Sequence, residues 1–285
     1  MTTIPEHLFP LHNINVSLIQ AQLEWENRKG NLDKFGALID SLPTTDLILL
    51  PEMFTTGFTM NAIKLAEMMN GETVEWMKFQ SQKHQAVVTG SIIVEENGSY
   101  FNRLLWVGPD GIVQHYDKRH LFRMADEQLY YSCGTKKLIV NLKGWRICPL
   151  ICYDLRFPIW SRNKNYSSIQ RDYDVLIYVA NWPSKRAFQW KALLPARAIE
   201  NQAYVLGLNR IGMDGNGFPY SGDSAVIDFK GERLDDIGTS TDHVTTISLD
   251  ATALFRFRNS FQAGLDADQF TINPIPAPHP NSNER

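Results

Sequence analysis

The sequence predicts a layered α/β domain, and three observations predict it. Strand-like and helical segments alternate over the first part of the chain, the pattern of strands covered by helices. Two strand-like runs, Tyr100 to Val107 and Ile112 to Tyr116, are joined by Gly108-Pro109-Asp110-Gly111, a strong hairpin signal. Runs such as Leu47-Ile48-Leu49-Leu50 are apolar throughout, which implies cover on both faces of their sheet. The chain has 285 residues, 44% of them hydrophobic, enough for a sizeable core. No linker, repeat or low-complexity block divides it. A single domain over 1–285 is expected, with its core at about 14–260 and an extended tail over 261–285.

Each element follows from local pattern. Ile14 to Gln20 reads as the first strand. Leu32, Phe35, Ile39 and Leu42 then recur at helical spacing. Pro43 and Asp46 bracket a turn before the strand Leu47–Leu50. Glu72 to Lys83 reads as a helix with Val74, Met77 and Phe79 as its apolar contacts, and Ala86 to Val94 as a strand. After the hairpin, Trp145 to Ile151 is a strand, followed by a short helix around Ile159 to Asn163. Asp174 to Ala180 is a buried strand. Lys185 to Asn201 is helical, with Pro195 expected to kink or break it. Tyr204 to Asn209, Ser224 to Phe229 and Val244 to Leu249 complete the strands. The stretch from Asn273 carries four prolines and no core-like run.

Composition removes several classes of function. The net formal charge is −3 and the basic residues are scattered, so no footprint for nucleic acid or an anionic membrane is visible. No apolar run approaches the roughly 18 residues that a membrane span needs. The segment Met1 to His7 lacks the basic-then-apolar order of a secretory signal. Three cysteines, Cys133, Cys148 and Cys152, fit a reducing cytoplasm better than a disulfide framework.

The segment Leu150-Ile151-Cys152-Tyr153-Asp154-Leu155-Arg156-Phe157-Pro158 concentrates the chemical signal. An apolar strand runs into a cysteine and the apolar pattern stops there. Cys148 and Cys152 do not suit a metal. Four residues on a strand span roughly 13 Å, whereas two thiolates on one zinc lie within about 4 Å. Cys148, mid-strand, reads as an apolar filler, as does Cys133 beside Gly134. Cys152 reads instead as a nucleophile, which needs a base and a means of holding an oxyanion. Of seven histidines, only His120 lies near other candidate residues, and a Cys–His dyad is one alternative. The other is a carboxylate. Glu52 stands directly after the strand Leu47–Leu50 and Pro51, at the carboxyl edge where α/β sheets build their sites. Desolvation there suits general-base work; a turn-forming or salt-bridged glutamate is the plainer reading. Lys118, after Ile112–Tyr116, is either a surface charge or an ammonium facing an oxyanion.

Taken together, these segments resemble the nitrilase, or carbon–nitrogen hydrolase, superfamily. Leu50-Pro51-Glu52 is similar to its glutamate motif, Tyr116 to Phe122 to its lysine motif, and Ile151 to Pro158 to its cysteine motif. The similarity continues through Asn181-Trp182-Pro183, Ala196 to Gln202, Asn209 to Gly212 and Tyr220 to Ser224. Pro51 to Phe58 and Arg123 to Glu127 look most like the omega-amidase branch, whose members hydrolyse the terminal amide of 2-oxo acids. The resemblance implies a four-layer α-β-β-α sandwich and a homodimer or higher homo-oligomer, with the tail available to its interface. It implies a small-molecule amide as substrate and no metal or organic cofactor. It assigns catalysis to Glu52, Lys118, Cys152 and a second acid, Glu127 (with Asp126 adjacent), and the oxyanion contact to the backbone of Tyr153. Arg156 is a candidate clamp for a substrate carboxylate, with an ion pair to Asp154 as its other reading. Phe58, Trp182 and Tyr220 are candidate pocket walls. Alternatives are an N-carbamoyl amino acid or polyamine hydrolase, a nitrilase, or a non-catalytic binding protein on the same fold. The last predicts a lost triad member, and none is lost.

Overall fold

The computed structural model describes residues 12–164 and 171–273. The segment Met1–His7 and the proline-rich stretch from 274 onward lie outside the described residues. The first half runs β1 (Ile14–Gln20), α1 (Arg28–Asp40), β2 (Leu47–Leu49), α2 (Ala62–Leu65), α3 (Glu72–His84), β3 (Val87–Glu96), β4 (Ser99–Val107) and β5 (Val113–Asp117). There follow α4 (Glu127–Tyr130), β6 (Val140–Leu142), β7 (Trp145–Ile151), α5 (Pro158–Ser161), β8 (Val175–Ala180) and α6 (Ala187–Asn201). The chain closes with β9 (Tyr204–Asn209), β10 (Ile211–Met213), β11 (Pro219–Ser221), β12 (Ala225–Ile227), β13 (His243–Leu249) and α7 (Ala251–Ser260).

Two mixed sheets carry the architecture. One has the order β13-β1-β2-β3-β4-β5, the other β12-β9-β8-β7-β6, and β10 pairs with β11 apart from both. Their central strands β1-β2-β3 and β7-β8-β9 are parallel, which places the carboxyl ends of β2, β7 and β8 where loops can gather side chains. The two-residue period of a strand explains the layers. On β2, Leu47 and Leu49 join the large core between the sheets, together with Leu104, Trp106, Ile147 and Val175. Ile48 and the following Leu50 point the other way, onto Phe35 and Ile39 of α1 and Val74 and Met77 of α3. On the far side Trp190, Leu194 and Ala198 of α6 cover the second sheet. The result is the α-β-β-α sandwich expected from the sequence.

Some local expectations differ. Phe79 is 59% exposed, and the buried face of α3 closes instead with the polar Gln80 and Ser81. Ser81 tolerates burial because its hydroxyl donates to the Ala86 and Val107 carbonyls. Helix α6 runs through Pro195 without a break, so the proline is accommodated. The helix expected near Ile159 to Asn163 starts earlier, with Pro158 in its first turn, where a proline's missing N–H costs nothing. Within the described part of the tail, Ala263–Asp266 forms one 3-10 turn.

One glycine positions the site through close approach. A Cβ on Gly134 would fall 2.1 Å from the Asp117 carbonyl oxygen, against backbone that cannot swing away. The Gly134 N–H also donates to the Lys118 carbonyl at 2.9 Å. Gly134→Ala is therefore expected to destabilise the fold by about 1–3 kcal/mol, the usual cost of overpacking. Urea denaturation checks this, and an unchanged midpoint would contradict the packing described.

Candidate active site

Four segments deliver the site residues, and three of them turn through strained backbone. Glu52 follows β2, where Pro51 has no N–H for the ladder and Met53 adopts φ 44°. Lys118 follows β5 directly, with its N–H still paired to the Asn102 carbonyl at 3.0 Å. Glu127 opens α4 just after Asp126, at φ 55°. Cys152 follows β7 at φ 42°. A non-glycine residue held there costs on the order of 1–3 kcal/mol, and neighbouring contacts must enforce it.

The four side chains converge. The Lys118 ammonium donates to Glu52 Oε1 at 2.9 Å and to both Glu127 oxygens at 3.0 Å, and all three side chains are fully buried. Asp126 sits outside this contact, so Glu127 is the acid that reaches the lysine. Two asparagines complete the acids' hydrogen bonding. Asn102 Nδ2 donates to Glu52 at 2.8 Å and to Glu127 at 3.4 Å. The Asn181 backbone N–H donates to Glu52 Oε2 at 2.7 Å, and its side-chain amide donates to the Glu52 carbonyl at 2.6 Å. The Phe122 N–H donates to Glu127 at 2.5 Å. Ser91 donates to Asn102 Oδ1 and accepts from the Met53 N–H, which fixes the amide's orientation. Asn102 and Ser91 were not anticipated from sequence. Their signal was weak, a polar residue within a strand that holds other polar residues, Thr89 near Ser91 and Arg103 beside Asn102.

Burial and charge set the protonation states. Burial alone would lower the Lys118 pKa, but Glu127 and then Glu52 hold the ammonium above its ordinary value. Burial pushes the Glu127 carboxyl up, Lys118 opposes that, and the Glu52 charge adds to it. The Cys152 thiol lies well above its ordinary value, first through burial and then through Glu52, against the pull of Lys118. The sulfur also faces the Asn181 carbonyl at 3.8 Å. Cys148 is buried, and burial pushes its thiol up to about 12. Cys133 is half-exposed. His120 is engaged by Asp154, its Nδ1 lying 2.7 Å from Oδ1.

Glu52, Lys118 and Cys152 border a cavity of about 500 Å³. Phe58, Trp182 and Tyr220, the candidate walls, line it together with Tyr153, and Phe58 lies 4.9 Å below the Lys118 ammonium. Arg156 also lines the cavity. Its guanidinium rests on Trp182 at 4.9 Å, while Asp154 is occupied by other donors. The Asp154 ion pair considered from sequence is therefore replaced by stacking. Two further cations were missed: Lys185 over Phe218 and Arg186 over Phe122. The other acids that line the cavity are already engaged, Glu26 by Thr59 and Asn61, and Asp214 by Tyr220 and two backbone N–H groups. Among the described residues, no group of three or more His, Cys, Asp and Glu side chains could hold a metal ion, and no helix is long and apolar enough to cross a membrane.

Comparison with known proteins points to one family. Residues 15–257 match the carbon–nitrogen hydrolase family. The chain is 47% identical over 262 residues to omega-amidase YafV of Escherichia coli, covering 91% of this chain and 98% of that one. It is 34% identical over 223 residues to 2-oxoglutaramate amidase of Bacillus subtilis, covering 77% and 84%. A superfamily member from Xanthomonas campestris, solved with an arsenic adduct in its active site, superposes with a TM-score of 0.90 at 47% identity, covering 92% and 100%.

The raised thiol leads to a test. Iodoacetamide labelling of Cys152, separated from Cys133 by peptide mapping, is expected to keep accelerating above about pH 9, beyond the range where a cysteine of ordinary pKa levels off. A rate that saturates below about pH 8 would mean a preformed thiolate.

Proposed function

The chain belongs to the carbon–nitrogen hydrolase family, and we propose that it is an omega-amidase, hydrolysing the terminal amide of 2-oxo acid amides such as 2-oxoglutaramate and 2-oxosuccinamate. The products are the 2-oxo dicarboxylate and ammonia. The observation that carries this reading is one buried ammonium shared by two carboxylates, beside a thiol at the wall of a cavity that Arg156, Lys185 and Arg186 also line. The Escherichia coli and Bacillus subtilis relatives support the choice of substrate.

In the proposed mechanism Glu52 takes the Cys152 proton as the sulfur attacks the amide carbonyl. The new C–S bond pushes the carbonyl electron pair onto oxygen, where the Lys118 ammonium and the Tyr153 N–H hold it. Protonated Glu52 then gives its proton to the nitrogen, the C–N bond breaks and ammonia leaves. Glu52 next removes a proton from water, whose oxygen attacks the thioester; the C–S bond then breaks to release the acid, and Glu52 returns the proton to the sulfur. Glu127 keeps Lys118 and Glu52 in place.

Arg156 meets the carboxylate at the far end of the substrate, with its planar fork presented by stacking on Trp182. The cations also argue against a polyamine hydrolase, because a polyamine would face Arg156, Lys185 and Arg186. We further propose that the enzyme works in the cytoplasm, as its thiol requires reducing conditions, and that it assembles as a homodimer. Ile159 of α5, Phe188 and Ile199 of α6, and Phe261 leave large apolar side chains uncovered in the single chain.

Two results are expected. Cys152→Ala abolishes ammonia release from 2-oxoglutaramate while the circular dichroism spectrum stays native, and wild-type enzyme quenched in acid carries the acyl mass on Cys152. Full activity in that variant would refute the mechanism. Arg156→Ala raises KM for 2-oxo acid amides by about ten- to a hundredfold, because hydrogen bonds to a charged group contribute about 1.5–3 kcal/mol. An uncharged amide of the same length should show little change, and equal effects on both would remove the clamp.

A further inference from the structure

We propose that Asp154 is a positioning residue that holds the lysine loop and the cysteine turn in register, so that the Lys118 ammonium and the Tyr153 N–H face the same oxyanion. The proposal rests on the mechanism above. Asp154 lies two residues beyond Cys152, in the 3-10 turn Cys152–Arg156, and is fully buried. It is not among the residues that line the cavity, and neither are Tyr116 and His120. Whatever it contributes to the reaction passes through other groups.

Its carboxylate receives four donors. Oδ1 accepts from the His120 backbone N–H at 3.1 Å and from His120 Nδ1 at 2.7 Å. Oδ2 accepts from the Tyr116 hydroxyl at 2.7 Å and from the Ile151 N–H at 3.1 Å. A carboxylate only accepts, so the His120 proton sits on Nδ1. An asparagine here would turn its NH₂ toward two of those donors and lose both bonds.

The donors identify what is being held. Tyr116 and His120 stand two residues before and two residues after Lys118, and Ile151 immediately precedes Cys152. One carboxylate thus fastens both sides of the ammonium to the entrance of the left-handed cysteine turn. The fastening is itself stiff. The Tyr116 hydroxyl also accepts from the Arg119 N–H at 3.2 Å and from Trp160 Nε1 at 3.0 Å. The His120 ring stacks on Phe157 with centroids 3.8 Å apart and planes 8° from parallel. The two loops come from different sheets, so nothing in either sheet's own register fixes their separation.

The test measures kcat and KM for 2-oxoglutaramate, normalised to iodoacetamide-reactive Cys152 and taken well below each variant's unfolding temperature. Asp154→Asn should lower kcat on the order of a hundredfold, as a misplacement of about 1 Å does, with KM moving by only about threefold or less. His120→Asn keeps a donor at the place of Nδ1, whereas His120→Leu has nearly the same shape and none. The asparagine variant should retain most of kcat and the leucine variant should lose it. Wild-type kcat per thiol in Asp154→Asn, or equal losses in the two His120 variants, would overturn the proposal. If Asp154→Asn does not fold, the His120 pair decides alone. Failure of the mechanism itself would look different: wild-type enzyme would carry no acyl group on Cys152.

Discussion

The site is organised around a fully buried ammonium held between two fully buried carboxylates. Removing such groups from water costs several kcal/mol each, and their mutual attraction offsets this only when the remaining lone pairs are also satisfied. Here they are. Asn102, the Asn181 backbone and the Phe122 N–H supply the additional donors, and Ser91 orients Asn102. Removing one member would leave a buried charge without its partner, so Lys118, Glu52 and Glu127 behave as a unit. Such a cluster has few ways to rearrange, and that rigidity suits the preorganised oxyanion donors of the proposed mechanism.

That unit depends on how two sheets meet. Glu52 and Lys118 leave strands of the six-stranded sheet, while Cys152 and Asn181 leave neighbouring strands of the five-stranded one. Apolar packing between the sheets sets their distance but is indifferent to small slides. Directional contacts at the carboxyl ends supply the missing register. Asn181 bonds Glu52 across the gap on one side, and Tyr116 and His120 bond Asp154 across it on the other. Polar residues buried at the seam between layers therefore convert a general sandwich into a defined geometry.

Much of this was legible in the sequence because strand ends announce themselves. The apolar runs before Glu52 and Cys152 stop abruptly, and the structure places Cys152 directly after β7 and Glu52 three residues past the end of β2. The unbroken apolar run Leu47–Leu50 and the helical spacing of Leu32, Phe35 and Ile39 pointed to helices covering sheets, and the four-layer order came with the family resemblance. The rest was hidden for physical reasons. Strands β6, β10 and β11 hold three residues each, too few to show a period. Helix α7 buries Arg258, whose guanidinium is neutralised by Asp174 at a separation of 84 residues, so its polar sequence disguises an inward face. The role of Asn102 depends on partners 50 and 25 residues away, and a lone asparagine in a strand does not reveal them. His120 drew attention as a possible base, yet its partner is a carboxylate that the sequence had offered to Arg156.

The charge arrangement also explains how an enzyme can start from a neutral thiol. Ionising Cys152 by loss of its proton to water would add a negative charge beside Glu52 and Glu127, which burial makes unfavourable. In the proposed mechanism the proton moves to Glu52 instead, and the net charge of the buried cluster does not change. The negative charge passes from the carboxylate to sulfur and then to the substrate oxygen, always facing the same ammonium. Lys118 stays protonated throughout, because the acids that flank it keep its pKa high. A preformed thiolate would react with any electrophile that entered the cavity. In the proposed mechanism, a thiol that becomes nucleophilic only as it attacks favours carbonyls that place their oxygen between Lys118 and the backbone of Tyr153 over other electrophiles.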